Sequence, residues 1–170
     1  MAASTYSPSD VSFKLYGLFE VNGFSSGSFI SILKDQARFS TTVGAQGNVS
    51  RMHHPNDVYR VTISLAQSSL WNQILNAIHE LDESSLVGMF PLVISDGSGD
   101  SFFVSSTAWI DGVPDVSYSN GMEVREWSFT CSDMVYNLGG NEETNDVSQL
   151  IFAALAVAGA TTSGGIGALI

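Results

Sequence analysis

Six short features of the chain have residue types that could do chemistry. Gly23-Phe24-Ser25-Ser26-Gly27 has the Gly-x-Ser-x-Gly spacing of a nucleophile elbow, in which a strand delivers the serine to a helix N-terminus with its hydroxyl exposed. Here the next residues, Ser28-Phe29-Ile30-Ser31-Ile32, are strand-like. The pattern therefore reads as a Gly/Ser turn, with a Ser25 hydrolase as the alternative. His53-His54 invites a metal, but neighbours on an extended segment point in opposite directions, and no Cys, Asp or Glu stands at structural-zinc spacing. His79 is alone on a helical stretch. Asp96-Gly97-Ser98-Gly99-Asp100 clusters oxygens as a calcium loop does, yet lacks the third carboxylate and the later Glu, and reads as a hairpin tip. Cys131 shares strand parity with Trp127 and Phe129 and reads as a small buried hydrophobe. Asn48-Val49-Ser50 is a glycosylation sequon in a chain with no secretory signal pattern. No enzyme activity, metal or cofactor is expected from these groups.

The elements that must carry them repeat mostly with period two, the mark of half-buried strands. Val11, Phe13 and Leu15 alternate with polar residues, and Phe29–Leu33 forms a second run. Tyr59-Arg60-Val61-Thr62-Ile63-Ser64-Leu65 is the clearest strand. Residues 88–95 and 101–110 flank the Asp96–Asp100 turn, and Pro91 places 88–95 at a sheet edge or makes 88–91 its lead-in. A last strand covers 122–131, where Met122 and Val124 have one parity and Trp127, Phe129 and Cys131 the other; a bulge near Arg125-Glu126 would restore a common face. One segment is helical: Leu70, Trp71, Ile74, Leu75, Ile78 and Leu81 recur at spacings of three and four over 68–82, with Ser68 or Ser69 able to cap it. One helix among six or seven strands predicts a mainly β fold, a sandwich or barrel with the helix laid against it.

Composition narrows the class further. Of 170 residues, 44% are hydrophobic and 14% charged, against about 25% charged in ordinary domains. The net charge of -11 gives no footprint for gripping nucleic acid or an anionic membrane. Charge is uneven along the chain: residues 1–60 hold five bases against four acids, and residues 61–170 hold Arg125 against thirteen acids. Residues 36–58 are polar and Gly-containing and read as a long loop suited to contact. Residues 139–146 are an acidic linker, and 147–170 carry no charged side chain. That last stretch approaches the about 20 residues needed to cross a bilayer, but Thr161, Thr162, Ser163 and three glycines interrupt it and no Lys or Arg flanks it. It is expected to dock on protein through Leu150, Ile151, Phe152 and Leu155, with no membrane anchoring. The organisation read from these features is an N-terminal arm at 1–10, a β domain at 11–138 and a linker with C-terminal extension at 139–170.

Several stretches share a family likeness. They are Tyr6-Ser7-Pro8-Ser9-Asp10-Val11, Gly27-Ser28-Phe29-Ile30-Ser31-Ile32 and the loop Phe39 to Arg51 with its Val43-Gly44-Ala45-Gln46-Gly47 core. To these add Val61 to Ser69 with Asn72 and Leu75, then Ala108-Trp109-Ile110, Pro114, and Arg125 to Cys131. Over roughly residues 6–135 the chain resembles the small tail-tube (major inner tail) structural proteins of contractile-tailed bacteriophages. The likeness does not extend to 147–170.

The resemblance implies two crossing antiparallel sheets in a β-sandwich, flanked by one helix. Six copies would form a ring, and rings would stack into a hollow tube lined by a continuous β-barrel. The 36–58 loop would reach an adjacent subunit through Phe39, Val43, Gly44, Gly47, Arg51, His53 and His54. The bases Lys14, Lys34, Arg38, Arg51 and Arg60 would pair with a neighbour's acids, the +1 half stacking on the -12 half. Asp96, Asp100, Asp111, Asp115, Glu123 and Glu126 are the candidate lumen acids, past which DNA slides at ejection without being bound. Partners would be the chain itself, the sheath, the tape-measure protein, and baseplate and tail-terminator proteins, in a virion assembled in the host cytoplasm. Alternatives are a tail terminator or baseplate hub of related fold and, further off, a ligand-binding β-sandwich.

Overall fold

The computed structural model describes residues 6–140; the docking residues Leu150, Ile151, Phe152 and Leu155 lie outside them. A short 3-10 turn at Pro8–Asp10 leads into ten strands and one helix. These are β1 (Val11–Leu15), β2 (Phe19–Glu20), β3 (Ile30–Lys34), β4 (Phe39–Val43), β5 (Val49–His53), β6 (Tyr59–Ala66), α1 (Trp71–Ser85), β7 (Phe90–Asp96), β8 (Phe102–Gly112), β9 (Val124–Cys131) and β10 (Val135–Asn137). All pairings are antiparallel. Eight strands form one sheet in the order β2-β1-β7-β8-β9-β6-β3, with β10 also on β8, while β4 and β5 pair only with each other.

The two layers of the mainly β sandwich are joined through β8. Its first half, Phe102 to Ala108, pairs with β7, and its second half, Ala108 to Gly112, pairs with β9. The sheet thus folds over itself at Ala108. One layer holds β2, β1, β7, the start of β8 and β10; the other holds the end of β8, β9, β6 and β3. Phe13 of β1 meets Phe129 of β9 with ring centroids 5.5 Å apart, although two strands separate β1 from β9 in the sheet. Tyr59 of β6 stacks on Tyr136 of β10 at 5.6 Å. Between the layers Phe13, Val61, Ile63, Leu65, Phe129 and Cys131 are fully buried. β2 and β3 end the path unpaired with each other, so no barrel closes.

α1 begins at Trp71 and runs to Ser85, three residues beyond the end read from periodicity. Ser69 Oγ accepts the Trp71 N–H at 3.3 Å and donates to the Asn22 carbonyl at 3.0 Å, so it serves the start of the helix. The helix is clamped to β9 by Asn72, whose Oδ1 accepts the Trp127 indole N–H at 3.0 Å. Only Leu75 is fully buried; Trp71 and Ile78 pack partly on the core.

Three strand details differ from the sequence reading. β6 and β9 pair in unbroken register from Tyr59↔Cys131 to Ala66↔Val124, so there is no bulge at Arg125-Glu126. β9 simply starts at Val124, Met122 precedes it, and Arg125 shares the inward parity of Trp127. The register shifts instead lie between Phe90 and Leu92 and between Ile110 and Gly112. Pro91 occupies interior strand β7, and its carbonyl accepts the Tyr16 N–H at 2.8 Å, so its missing N–H faces the chain just past the end of β1, where the β1–β7 ladder stops. Residues 36–58 are a β-hairpin rather than a loop. Its turn closes with Gly44 N–H to Asn48 O at 2.8 Å, and Gly47 (φ 81°) takes the left-handed conformation there.

Candidate functional site

Strand alternation puts a polar ladder on the outer face of the β8-β9-β6-β3 layer. Since Tyr59, Val61, Ile63 and Leu65 point inward, Arg60, Thr62 and Ser64 point out. They lie opposite Thr130, Ser128 and Glu126 of β9. Ser31 and Leu33 of β3 extend the rows on one side, and Trp109 of β8 on the other. Asp111 accepts the Thr130 hydroxyl at 2.7 Å and lies 3.9 Å from Arg60 Nε. Among the described residues both margins of this layer are open: β3 pairs only with β6, and the end of β8 past Ala108 pairs only with β9.

The six candidate acids separate into two groups. Asp111, Asp115, Glu123 and Glu126 line one concavity of about 580 Å³ beside the polar face. Asp96 and Asp100 sit at the opposite end of β8, an 11-residue strand about 35 Å long at its ordinary rise. Asp96 Oδ1 is engaged locally, accepting the Ser98 N–H at 2.9 Å, so the Asp96–Asp100 stretch is the hairpin tip the sequence indicated.

Arg125 was missed as a positioning residue. It is 7% exposed, and both terminal nitrogens donate to the Ser117 carbonyl, at 3.2 and 3.3 Å. Its guanidinium also lies 5.4 Å from the Tyr118 ring. The base thereby holds the 113–123 connection that carries Asp115 and Glu123. Its parity with Trp127, Phe129 and Cys131 was the available signal, obscured by aligning the strand on Met122 and Val124.

The hairpin projects a second surface. Register places Phe39, Thr41 and Val43 on one face with His53, Arg51 and Val49. Every residue from Thr41 to His53 is exposed. The Arg51 guanidinium lies 3.5 Å from the Phe39 ring centroid, and His53 packs on the same ring at 5.3 Å. His54 turns away and bonds Ser40 Oγ through Nε2 at 2.8 Å. An isolated two-stranded hairpin is marginal in water, and this one leaves Phe39, Val43 and Val49 exposed.

The bases are mostly engaged within the chain. Lys34 and Arg38 share Asp57 at the root of the hairpin, and Arg60 faces Asp111. Lys14 and Arg51 have no carboxylate partner among the described residues. Nor do the oppositely charged sequence halves form separate ends. β1 pairs with β7, and β6 lies between β3 and β9, so the sheet interleaves early and late strands.

The remaining motifs have structural roles. Ser25 donates its N–H to Ser64 O at 2.9 Å and is followed by strand β3, not a helix. Gly23 (φ 78°) is required because a side chain there would collide with Ser69. No group of three or more His, Cys, Asp or Glu among the described residues could hold a metal, and no helix among them is long and apolar enough to cross a membrane. Burial pushes the Cys131 thiol up to about 11, with Asp133 and Asp111 adding to the rise against the Ser105 hydroxyl. Asp133 is held below the usual carboxylate range, chiefly by the Ser106 hydroxyl at 2.7 Å.

Comparison with known proteins gives this surface a context. Among solved structures, the sheath–tube complex of an extracellular contractile injection system superposes with a TM-score of 0.52 at 15% identity, over 78% of this chain and 91% of that one. The sheath/tube terminator of such a system gives 0.50 at 14%, over 81% and 100%. The tube-terminating cap of the anti-feeding prophage gives 0.51 at 16%, over 81% and 93%. At these identities the likeness is one of fold. Structural protein ORF10 of Pseudomonas phage KPP10 is 32% identical over 161 residues, 91% of this chain and 93% of that protein. The family model described as bacteriophage PhiTE tail tube protein matches residues 3–139. On these two sequence matches the chain belongs to the PhiTE tail tube protein family and is a structural protein of a phage tail.

Proposed function

We propose that the chain polymerises as stacked rings, six copies to a ring, into the tube of a contractile tail. The observation that carries this reading is the polar β8-β9-β6-β3 layer with an open strand at each margin. An exposed strand edge is a template for pairing; joining β3 of one copy to the end of β8 of the next satisfies both edges and closes a ring. Its inner wall is then the Ser/Thr ladder with Asp111, Glu126 and the adjoining Asp115 and Glu123 facing the lumen. Such a wall repels phosphate and lets DNA pass at ejection without holding it. Asp96 and Asp100, at the far end of β8, fall away from this wall.

The β4–β5 hairpin reaches the next subunit or ring, covering Val43, Val49 and Phe39 and offering Arg51 to a neighbour's acid. Sheath outside, tape-measure protein inside during assembly, and baseplate and terminator proteins at the ends complete the partners. The chain acts in the virion after assembly in the host cytoplasm, and its role is structural, not catalytic. Electron microscopy of the purified protein tests this: rings stacked into tubes with a central channel are expected. A protein that stays monomeric at high concentration overturns the proposal, and single rings that never stack point to a tail terminator.

A further inference from the structure

The chain contains two Asn-Gly pairs, Asn22-Gly23 and Asn120-Gly121. An asparagine followed by glycine can close a five-membered imide, because glycine has no Cβ to keep its backbone nitrogen away from the asparagine side-chain carbon. Closure also requires the backbone at the pair to turn. A pair tied into the fold on both sides is therefore protected, and an untied pair is not. Both asparagines are exposed, so access to water does not separate them. Backbone hydrogen bonding does.

Asn22-Gly23 is fixed in place. The Asn22 carbonyl accepts Ser69 Oγ at 3.0 Å, and the Gly23 carbonyl accepts the Ala66 N–H at 2.9 Å. On either side, Val21 donates its N–H to Phe13 O at 2.8 Å and Ser25 to Ser64 O at 2.9 Å. Turning this peptide would break several of these bonds together.

Asn120-Gly121 lies within the 113–123 connection, which is held at two points. Arg125 holds the Ser117 carbonyl. Glu123 donates its N–H to Gln67 Oε1 at 3.3 Å and accepts the Gln67 N–H at 3.1 Å. Between these anchors the hydrogen bonds are the Gly121 N–H to Ser119 Oγ at 3.2 Å and Ser68 Oγ to the Met122 sulfur at 3.9 Å. Neither is a backbone ladder bond, and Tyr118 and Met122 are exposed. The Ser119 oxygen accepts from the very nitrogen that must lose its proton.

We propose that Asn120 is a self-modification site of the folded protein, converting to aspartate and isoaspartate while Asn22 stays intact. The Gly121 nitrogen bonds to the Asn120 side-chain amide carbon; the C–NH2 bond breaks, and ammonia leaves carrying the proton that the nitrogen lost. Water then hydrolyses the imide. Opening at the former side-chain carbonyl gives aspartate, and opening at the backbone carbonyl gives isoaspartate, with the chain running through Cβ. Either product adds a carboxylate to a connection whose Ser117, Met122 and Glu123 line the concavity of Asp111, Asp115 and Glu126. The concavity thus gains negative charge in one direction only as the protein ages. The reaction belongs to the single subunit and does not depend on how subunits assemble.

Ageing the full-length protein in mildly alkaline buffer tests it, with samples digested and analysed by mass spectrometry. The peptide spanning 120–121 should gain the mass difference between an amide NH2 and a hydroxyl and split into two chromatographic species. The peptide spanning 22–23 should react several-fold more slowly. In urea the two pairs should react at similar rates, which assigns the difference to the fold. Gly121→Ala should slow the reaction at position 120 several-fold without unfolding the protein, since an added Cβ comes no nearer than 3.9 Å to Ser119 Oγ. Equal rates at the two pairs in the folded chain overturn the proposal, as does an Asn120 that stays intact when folded yet reacts in urea.

Discussion

The double substitution Val43→Ser/Val49→Ser separates contact from folding. The two valines face each other across the β4–β5 hairpin and are 63% and 70% exposed in the subunit. Each Val→Ser change removes about two methylene equivalents, worth about 1.6 kcal/mol when fully covered. Scaled by the area still exposed, the loss is about 1 kcal/mol per residue and about 2 kcal/mol per subunit on assembly. That corresponds to about a 30-fold rise in the critical concentration for tube formation, measured by sedimenting tubes from a dilution series. The subunit should be almost unaffected, since neither side chain is buried in it, and its melting temperature should stay within a degree or two of the parent. An unchanged critical concentration would refute the reasoning. So would a large fall in melting temperature, which would place the hairpin face inside the fold.

Four further outcomes are expected. Arg125→Met should cost about 1.5–3 kcal/mol, the usual range for hydrogen bonds to a charged group, and should make 113–123 an early cleavage site in limited proteolysis; equal protease resistance would contradict the anchoring role. Reversing the concavity's charge with Asp115→Lys/Glu126→Lys should make assembled tubes bind short duplex DNA at low salt and release it as salt rises; tubes that still ignore DNA would remove these acids from the lumen. Cys131 retains its proton in the folded state up to about 11 while the unfolded thiol loses it near 9.0, so its contribution to stability is present below that lower value and lost as pH rises between the two; urea titrations in this window should show it, and a Cys131→Ala variant should not. Asp133 has the opposite sign: its lowered folded pKa gives stability present above the unfolded value and lost on acidification through the folded one, so Asp133→Asn should flatten the acid limb of the stability curve.

Much of the architecture was legible because it is local. Alternation over 59–65, the three-and-four stripe over 68–82 and the Asp96–Asp100 tip each record which neighbours face the same side, and β6, α1 and the β7–β8 turn follow them closely. The hairpin was harder to read because burial writes the apolar period into a strand, and β4 and β5 bury neither face in the subunit. Arg125 was obscured for a related reason: an inward base runs against the expectation that inward means apolar, and only the Ser117 carbonyl beside it makes the position tolerable.

By itself the chain's composition and spacing determined a charge-poor, mainly β chain with one amphipathic helix, and its short patterns already carried the tail-tube likeness. Three things were decided only in three dimensions. The β8 crossover at Ala108 folds one sheet into two layers. It gathers Asp111, Asp115, Glu123 and Glu126 while sending Asp96 and Asp100 to the other end. It also leaves β3 with a neighbour on one side alone among the described residues, beside a groove lined by Ile30 and Ile32. Strand order joins residues far apart in the chain, so no local period records it. The +1 and -12 halves show the consequence: charges segregated along the chain are interleaved in the sheet, where β1 lies beside β7 and β6 beside β9.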